Sequence, residues 1–184
     1  MSAGVVYGDV VLRLALESDV ESIVKIVNVA VPLMRASGNY QWGYDYPQAD
    51  HFHRDIKIGQ LWVAEARSGV TIETETSSGV IGVGALTEDQ GDDYKQIWDI
   101  DQKAVVPHRV CVNPEARGKG VAKAFMRHAE QLSRDRGYSS VRVDTNSENE
   151  AMHHIFKSLG YDFLGDLVLA GREGMTFHAF EKTL

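Results

Sequence analysis

A single cysteine, Cys111, in a chain of 184 residues excludes an intrachain disulfide and suits a reducing compartment. No apolar run approaches the roughly 18 residues that a membrane-spanning helix needs. The first residues lack a basic stretch followed by an apolar core. A soluble, cytoplasmic protein with no membrane partner is therefore expected. Basic residues are also in short supply: 19 Lys and Arg against 26 Asp and Glu give a net charge of −7. That balance argues against general nucleic-acid binding, which needs a broad basic face. Repeats, linkers and low-complexity segments are absent, so residues 1–184 are expected to form one domain. What remains is ordinary globular material, 43% hydrophobic and 24% charged, enough to form a core.

The acid is concentrated in Thr87 to Lys103, "TEDQGDDYKQIWDIDQK", which alone carries a net −4. It reads as a solvated loop, or as an acidic rim attracting a cationic substrate. Periodicity supplies the rest of the outline. "DVVLRLAL" reads as a first strand. "SDVESIVKIVNVAVPLMRA" reads as a helix with Ser18 as cap, Glu21 in a capping box, and Val20, Ile23, Val24, Val27 and Val31 on one stripe. An aromatic-rich loop passes into a short helix after Pro47, and "QLWVAEA" and "GVIGVGALT" form a hairpin joined by a turn rich in Thr, Ser and Glu. In "AVVPHRVCVN", strand alternation puts His108, Val110 and Val112 on one face and Arg109 and Cys111 on the other. Pro107 should make this strand irregular or unpaired at its start. A long helix from about Gly118 to Arg136 ends at Gly137, with Val121, Phe125, Ala129 and Leu132 on one stripe. The strand "SSVRVDT", the helix "SENEAMHHIFKSLG", and the strands "YDFLGDLVL" and "MTFHAFEKTL" complete a mixed sheet with helices on both faces.

The segment "VNPEARGKGVAKAF" places Arg117, Gly118, Lys119 and Gly120 at the start of the long helix. A helix start presents N–H groups without intrahelical partners and the positive end of the macrodipole. Glycines let an anion approach the backbone, and Arg117 and Lys119 add cationic donors. A Walker loop would need Ser or Thr after Lys119, where Gly120 stands, and a dinucleotide fingerprint would need a third glycine where Lys123 stands. A different phosphate is indicated, or else a plain Gly-rich helix entry.

"RGKGVA", Arg117 to Ala122, followed by a strand and then "NEAMHHIFKSLGY", resembles the GNAT N-acetyltransferase superfamily. The first matches its acyl-CoA pyrophosphate motif and the second its next block, where Asn149 precedes a helix. The resemblance implies a mixed α/β (α+β) fold, a mostly antiparallel central sheet of about seven strands flanked by about four helices. It also implies acetyl-CoA as acyl donor, with phosphates at the amides of Arg117, Gly118, Lys119, Gly120, Val121 and Ala122. The pantetheine arm would lie along Val110, Cys111 and Val112 as an added strand would, with Asn149 as a side-chain contact. A homodimer through the C-terminal strands is compatible with it.

The reaction implied is direct attack of an amine, on a small molecule or a peptide, on the thioester. A lysine-like amine costs about 4.6 kcal/mol to deprotonate at pH 7, so the site must supply a base, desolvation or both. His108 is the candidate base, and it also fits a structural role beside Pro107. Asp144 can act directly or orient a histidine; it or Ser147 can instead cap the next helix. Many relatives carry a Tyr seven residues after the motif asparagine, as acid for the departing thiolate. Here that position is Phe156, which has no proton to give, and a non-catalytic acyl-CoA sensor using the same cleft stands as the alternative. Cys111 reads as a small packed residue rather than a nucleophile. Trp42, Tyr44 and Tyr46 of "NYQWGYDYP" would line the acceptor site or plug the core. His51 with His53, and His153 with His154, do not make a convincing metal site.

Overall fold

A computed structural model describes residues 4–69 and 79–184. Among these residues eight strands and four α-helices follow in order along the chain: β1 (Val5–Tyr7), β2 (Val10–Leu14), α1 (Val20–Ala36), α2 (Ala49–Lys57), β3 (Leu61–Ala66), β4 (Val80–Thr87), β5 (Val106–Val112), α3 (Val121–Asp135), β6 (Ser140–Asn146), α4 (Glu150–Ser158), β7 (Asp162–Leu167) and β8 (Phe177–Thr183). The expected mixed fold is present, with one strand more than expected. β1 pairs with β2 in a tight hairpin, Tyr7 opposite Val10, turning at Gly8 and Asp9. The antiparallel pairing of β3 with β4 is as expected, and its Thr-, Ser- and Glu-rich turn lies outside the described residues.

The strands form two antiparallel sheets, β1-β2-β3-β4-β5 and β6-β8-β7. Between β5 and β6 the connection is a parallel bridge, Val105 with Val141, and the Arg142 N–H donating to the Val105 carbonyl at 3.1 Å. Beyond it the two strands diverge, so one edge of β5 carries backbone groups without a ladder partner among the described residues. Helices α3 and α4 cover one face, burying Phe125, Met126 and Phe156 against Leu12, Ile81 and Val143. Helices α1 and α2 cover the other, burying Ile23, Val27 and Phe52 against Val63, Val83 and Cys111. Glycine is required where α3 crosses β4: a Cβ at Gly82 would stand 2.8 Å from Val121, and one at Gly84 3.0 Å from Phe125.

Several local expectations are corrected. Neither Ser18 nor Glu21 caps α1. The Asp19 carboxylate instead accepts the Leu16 N–H and two donors of Arg13, while Glu21 pairs with Lys25 on the helix surface. Helix α3 begins at Val121, because Gly118 and Gly120 both adopt positive φ (77° and 82°) and hold the preceding turn out of the helix. Pro107 is paired, opposite Leu86, and the irregularity of β5 lies two residues later. There Ala85 faces His108 and Val83 faces Cys111, so Arg109 and Val110 together oppose Gly84, and Arg109 takes a φ of 52°. This bulge resets the alternation. Residues opposite each other in an antiparallel pair share a face, so His108 lies on the α1 side with Ala85 and Cys111. Val110 and Val112 pack on the α3 side.

Candidate active site

The divergence of β5 from β6 opens a cavity of about 1000 Å³ running from the start of α3 to the loop between α1 and α2. Its first end is built by α3. The N–H of Arg117 is taken by the Pro114 carbonyl and that of Lys119 by Ala116; the first amide closing back within the helix is Ala124, to Gly120. Those of Gly118, Gly120, Val121, Ala122 and Lys123 are left without a protein acceptor among the described residues, as expected of a helix start. All five residues, with Arg117, line the cavity. Lys119 does not: its side chain is exposed, a correction to its expected place on the phosphate loop, and Lys123 stands at the rim instead.

The middle is formed by Val110, Cys111 and Val112 of β5 facing Asn149, Met152 and Phe156 of α4. Burial pushes the Cys111 thiol up to about 12, eased only slightly by Arg117, so this is a packed thiol and not a nucleophile. Asn149, rather than Asp144 or Ser147, caps α4: its Oδ1 accepts the Met152 N–H at 3.4 Å, and its Nδ2 donates to Thr145 Oγ1 at 2.9 Å. Phe156 is fully buried, its ring 5.0 Å from that of Phe180 and 5.7 Å from that of Tyr161. It forms the floor of the cavity.

At the far end the lining includes His108, Arg109, Asp144, Tyr94, Trp42, Tyr46 and Arg172. His108 is half-buried, with Nε2 3.3 Å from the Asp89 carbonyl. A carbonyl only accepts, so this contact puts the proton of a neutral imidazole on Nε2 and the lone pair on Nδ1. Asp144 accepts the Tyr94 hydroxyl at 2.7 Å. Burial first, and Asp144 second, raise the Tyr94 phenol, which stays a donor. Arg109, held in the bulge, makes a buried ion pair with Asp55 of α2 at 2.7 Å and reaches the Tyr46 hydroxyl at 3.4 Å. Of the three aromatics expected to line an acceptor site or plug the core, Trp42 and Tyr46 line this end of the cavity, their rings edge to face at 6.4 Å. Tyr44 does not: it is 74% exposed, with Arg35 over its ring on the outer surface.

Tyr94, Gln41 and Arg172 also line this end, and the sequence pattern does not single them out. Tyr94 lies inside the acidic segment, where Trp98 four residues on stacks with it at 4.6 Å. That aromatic spacing on a helical turn was the available signal. Gln41 and Arg172 gave none, being single polar residues in irregular loops. Of the two readings of Thr87 to Lys103, the acidic rim finds no support: of that segment only Tyr94 lines the cavity, Glu88 pairs with Arg136, and Asp92 pairs with Lys95. The histidine pairs have other partners. His51 Nδ1 accepts the Gln48 N–H at the start of α2, His53 meets Glu17, and His153 stacks on His178. Among the described residues no three metal-ligating side chains converge, and no helix is long and apolar enough to cross a membrane.

Known proteins resemble this chain in sequence and in fold. N-acetyltransferase 8B of Homo sapiens is 34% identical over 105 residues, or 57% of this chain; the matched stretch spans only 39% of that protein's length. A GNAT-family acetyltransferase from Streptococcus agalactiae has the same fold, with a TM-score of 0.77 over 97% of this chain and 98% of that one at 22% identity. So does yncA from Salmonella typhimurium, solved with its cofactor acetyl-CoA, with a TM-score of 0.64 over 96% and 95% at 20% identity. The model of the acetyltransferase (GNAT) family matches residues 34–161, from the end of α1 through the Gly-rich start of α3 to Tyr161. The chain belongs to the GNAT acetyltransferase family.

Proposed function

We propose that the protein is an acetyl-CoA-dependent N-acetyltransferase that acts on an amine by direct attack. One observation carries the reading: a single cavity joins the free amides at the start of α3, the unpaired edge of β5, and the His108–Asp144 end. The residues present fit the donor. Five amides without protein acceptors, the positive φ of Gly118 and Gly120, and the cations Arg117 and Lys123 suit a diphosphate. The open edge of β5 suits an amide-bearing arm laid against it like a further strand. Acetyl-CoA supplies an activated acetyl group: a bond forms between the amine nitrogen and its carbonyl carbon, and the bond from that carbon to sulfur breaks, releasing CoA.

The protein's part is to hold and deprotonate the amine. Asp144, with one oxygen taken by Tyr94, presents the other to an incoming ammonium. His108 Nδ1, left with its lone pair by the Nε2 contact to Asp89, receives the proton, and the resulting imidazolium can return it to the departing sulfur. Phe156 takes no part in proton transfer; fully buried, it gives the cavity an apolar wall. The test is thiol release from acetyl-CoA across an amine panel, beside calorimetry with acetyl-CoA alone. Binding without turnover on any amine would replace the transferase with an acyl-CoA sensor, and no binding would remove both.

A further inference from the structure

We infer that the acetyl acceptor is an amine that also bears a carboxylate, of the amino-acid type, and that Arg172 holds that carboxylate. The inference rests on the transferase reading and narrows it. Arg172 comes from the loop between β7 and β8 and lines the far end of the cavity, half-buried. Its Nη1 donates to the Gln41 carbonyl at 3.0 Å, and its guanidinium lies 4.9 Å from the centre of the Tyr46 ring. No carboxylate stands within ion-pair distance of it among the described residues. Arg13, Arg54, Arg109, Arg136 and Arg142 each pair with a carboxylate; among the described residues Arg35, Arg67, Arg117, Arg127 and Arg134 share the lack of one with Arg172, and of these only Arg117, at the opposite end, also lines the cavity. Arg172 keeps most of its five donors for something outside the protein, in a planar fork that matches a carboxylate.

Its position relative to the amine end is fixed by a hydrogen-bonded chain. Gln41, which takes Arg172 through its carbonyl, uses Oε1 to accept from Thr145 Oγ1 and the Asn146 N–H, at 3.4 and 3.3 Å. Ser147 in turn donates its N–H to the Thr176 carbonyl at 2.9 Å. Arg172 is thereby tied to the end of β6, where Asp144 stands. One unit thus offers a carboxylate for an ammonium and a guanidinium for a carboxylate, with Trp42, Leu33 and Leu169 forming an apolar wall alongside. A polyamine or other purely cationic amine would set its charge against Arg172. The acidic segment that pointed toward such a substrate contributes no carboxylate to the lining.

The test compares proteinogenic amino acids with their amides and their decarboxylated amines in the thiol-release assay. At least one amino acid should exceed its own amide and decarboxylated amine by about tenfold or more in kcat/KM, the equivalent of about 1.4 kcal/mol. Arg172→Gln should collapse that preference, mainly through KM, Arg172→Lys should keep part of it, and the Kd for acetyl-CoA should change in neither. Equal or better turnover of the partners that lack the carboxylate, or an equal loss on all amines in Arg172→Gln, would overturn this inference and leave the transferase reading standing. Acetyl-CoA binding with no turnover on any member would overturn both.

Discussion

Replacing Gly120 by Glu separates the two tasks assigned to the start of α3. Gly120 holds a φ of 82° immediately before the helix, and a Cβ built there meets no protein atom within 4 Å. The folded chain therefore resists the new side chain only through its backbone, at about 1–2 kcal/mol for an L-residue in the left-handed region. In a chain of this length that is a fall of about 2–8 °C in Tm. Binding should suffer far more. The carboxylate would project into the space where the free amides of 120–123 converge, removing a helix-dipole interaction of about 0.3–2 kcal/mol and at least one charge-assisted hydrogen bond of about 1.5–3 kcal/mol. Together these predict a Kd for acetyl-CoA weaker by about 20-fold to several thousand-fold, read by calorimetry at fixed ionic strength. Gly137→Ala is the control: φ is 73°, the space around its Cβ is equally open, and it lies at the other end of α3 away from the cavity. It should show the same kind of loss in Tm and an unchanged Kd. A folded Gly120→Glu protein binding acetyl-CoA within threefold of the parent would refute the placement of the diphosphate.

Three further predictions follow from the same geometry. His108→Ala should lower kcat/KM by about 10²–10⁴-fold near neutral pH, and a loss of only a few-fold would make His108 structural. Asp55→Ala leaves the Arg109 guanidinium buried without its partner, and should cost about 3–5 kcal/mol in urea unfolding; adding Arg109→Met should recover part of it, and a cost below about 1 kcal/mol would show that solvent reaches the pair. His128 is buried; among the described residues its one hydrogen-bond partner is Tyr7, at 3.0 Å, and its Nε2 has none. Desolvation lowers it from 6.5 to about 4, with Asp135 and Arg136 acting in opposite directions. A base lowered on folding stabilises fully above its unfolded pKa, so stability should fall as the pH drops from 6.5 toward 4, by about 3 kcal/mol in all. His128→Gln should remove that part of the pH dependence, and an unaltered profile would assign it to other groups.

Much of the framework was legible because it obeys simple periods. The apolar stripes of α1 and α3 place Ile23, Val27, Val121 and Phe125 in the two cores, and the helix-ending glycines Gly137 and Gly160 both adopt positive φ. The Gly-rich loop was legible for a related reason: it breaks helix propensity at a helix start, a local conflict that a ligand would resolve. Less regular features escaped. β1 is three residues long, too short for a period to show, although Gly8-Asp9 between two Val-Val pairs was a hairpin signal. Tyr94 and Arg172 reach the cavity from loops whose course depends on contacts 50 or more residues away, with Asp144 and Gln41. No local pattern encodes such contacts.

The bulge in β5 shows how one residue can redirect a site. Strict alternation would group His108 with Val110 and Val112, and set Arg109 and Cys111 apart from it. The extra residue opposite Gly84 turns His108 to the side of Cys111, where Asp89 and the acceptor end lie, and leaves Val110 and Val112 packed under α3. The feature has identifiable supports. Gly84 is small enough for Phe125 and Val110 to close over it, and the buried Asp55 holds the Arg109 side chain while its backbone takes a positive φ. A non-Gly residue in that region costs of order 1–3 kcal/mol and persists only where its surroundings over-determine it. Breaking the Arg109–Asp55 pair should therefore do more than lower Tm: released from its anchor, the bulge should relax and His108 should lose its aim. Asp55→Ala is thus expected to lower kcat on amines while the Kd for acetyl-CoA, set at the other end of the cavity, stays within a few-fold. Loss of stability with kcat intact would mean that Gly84 alone maintains the bulge.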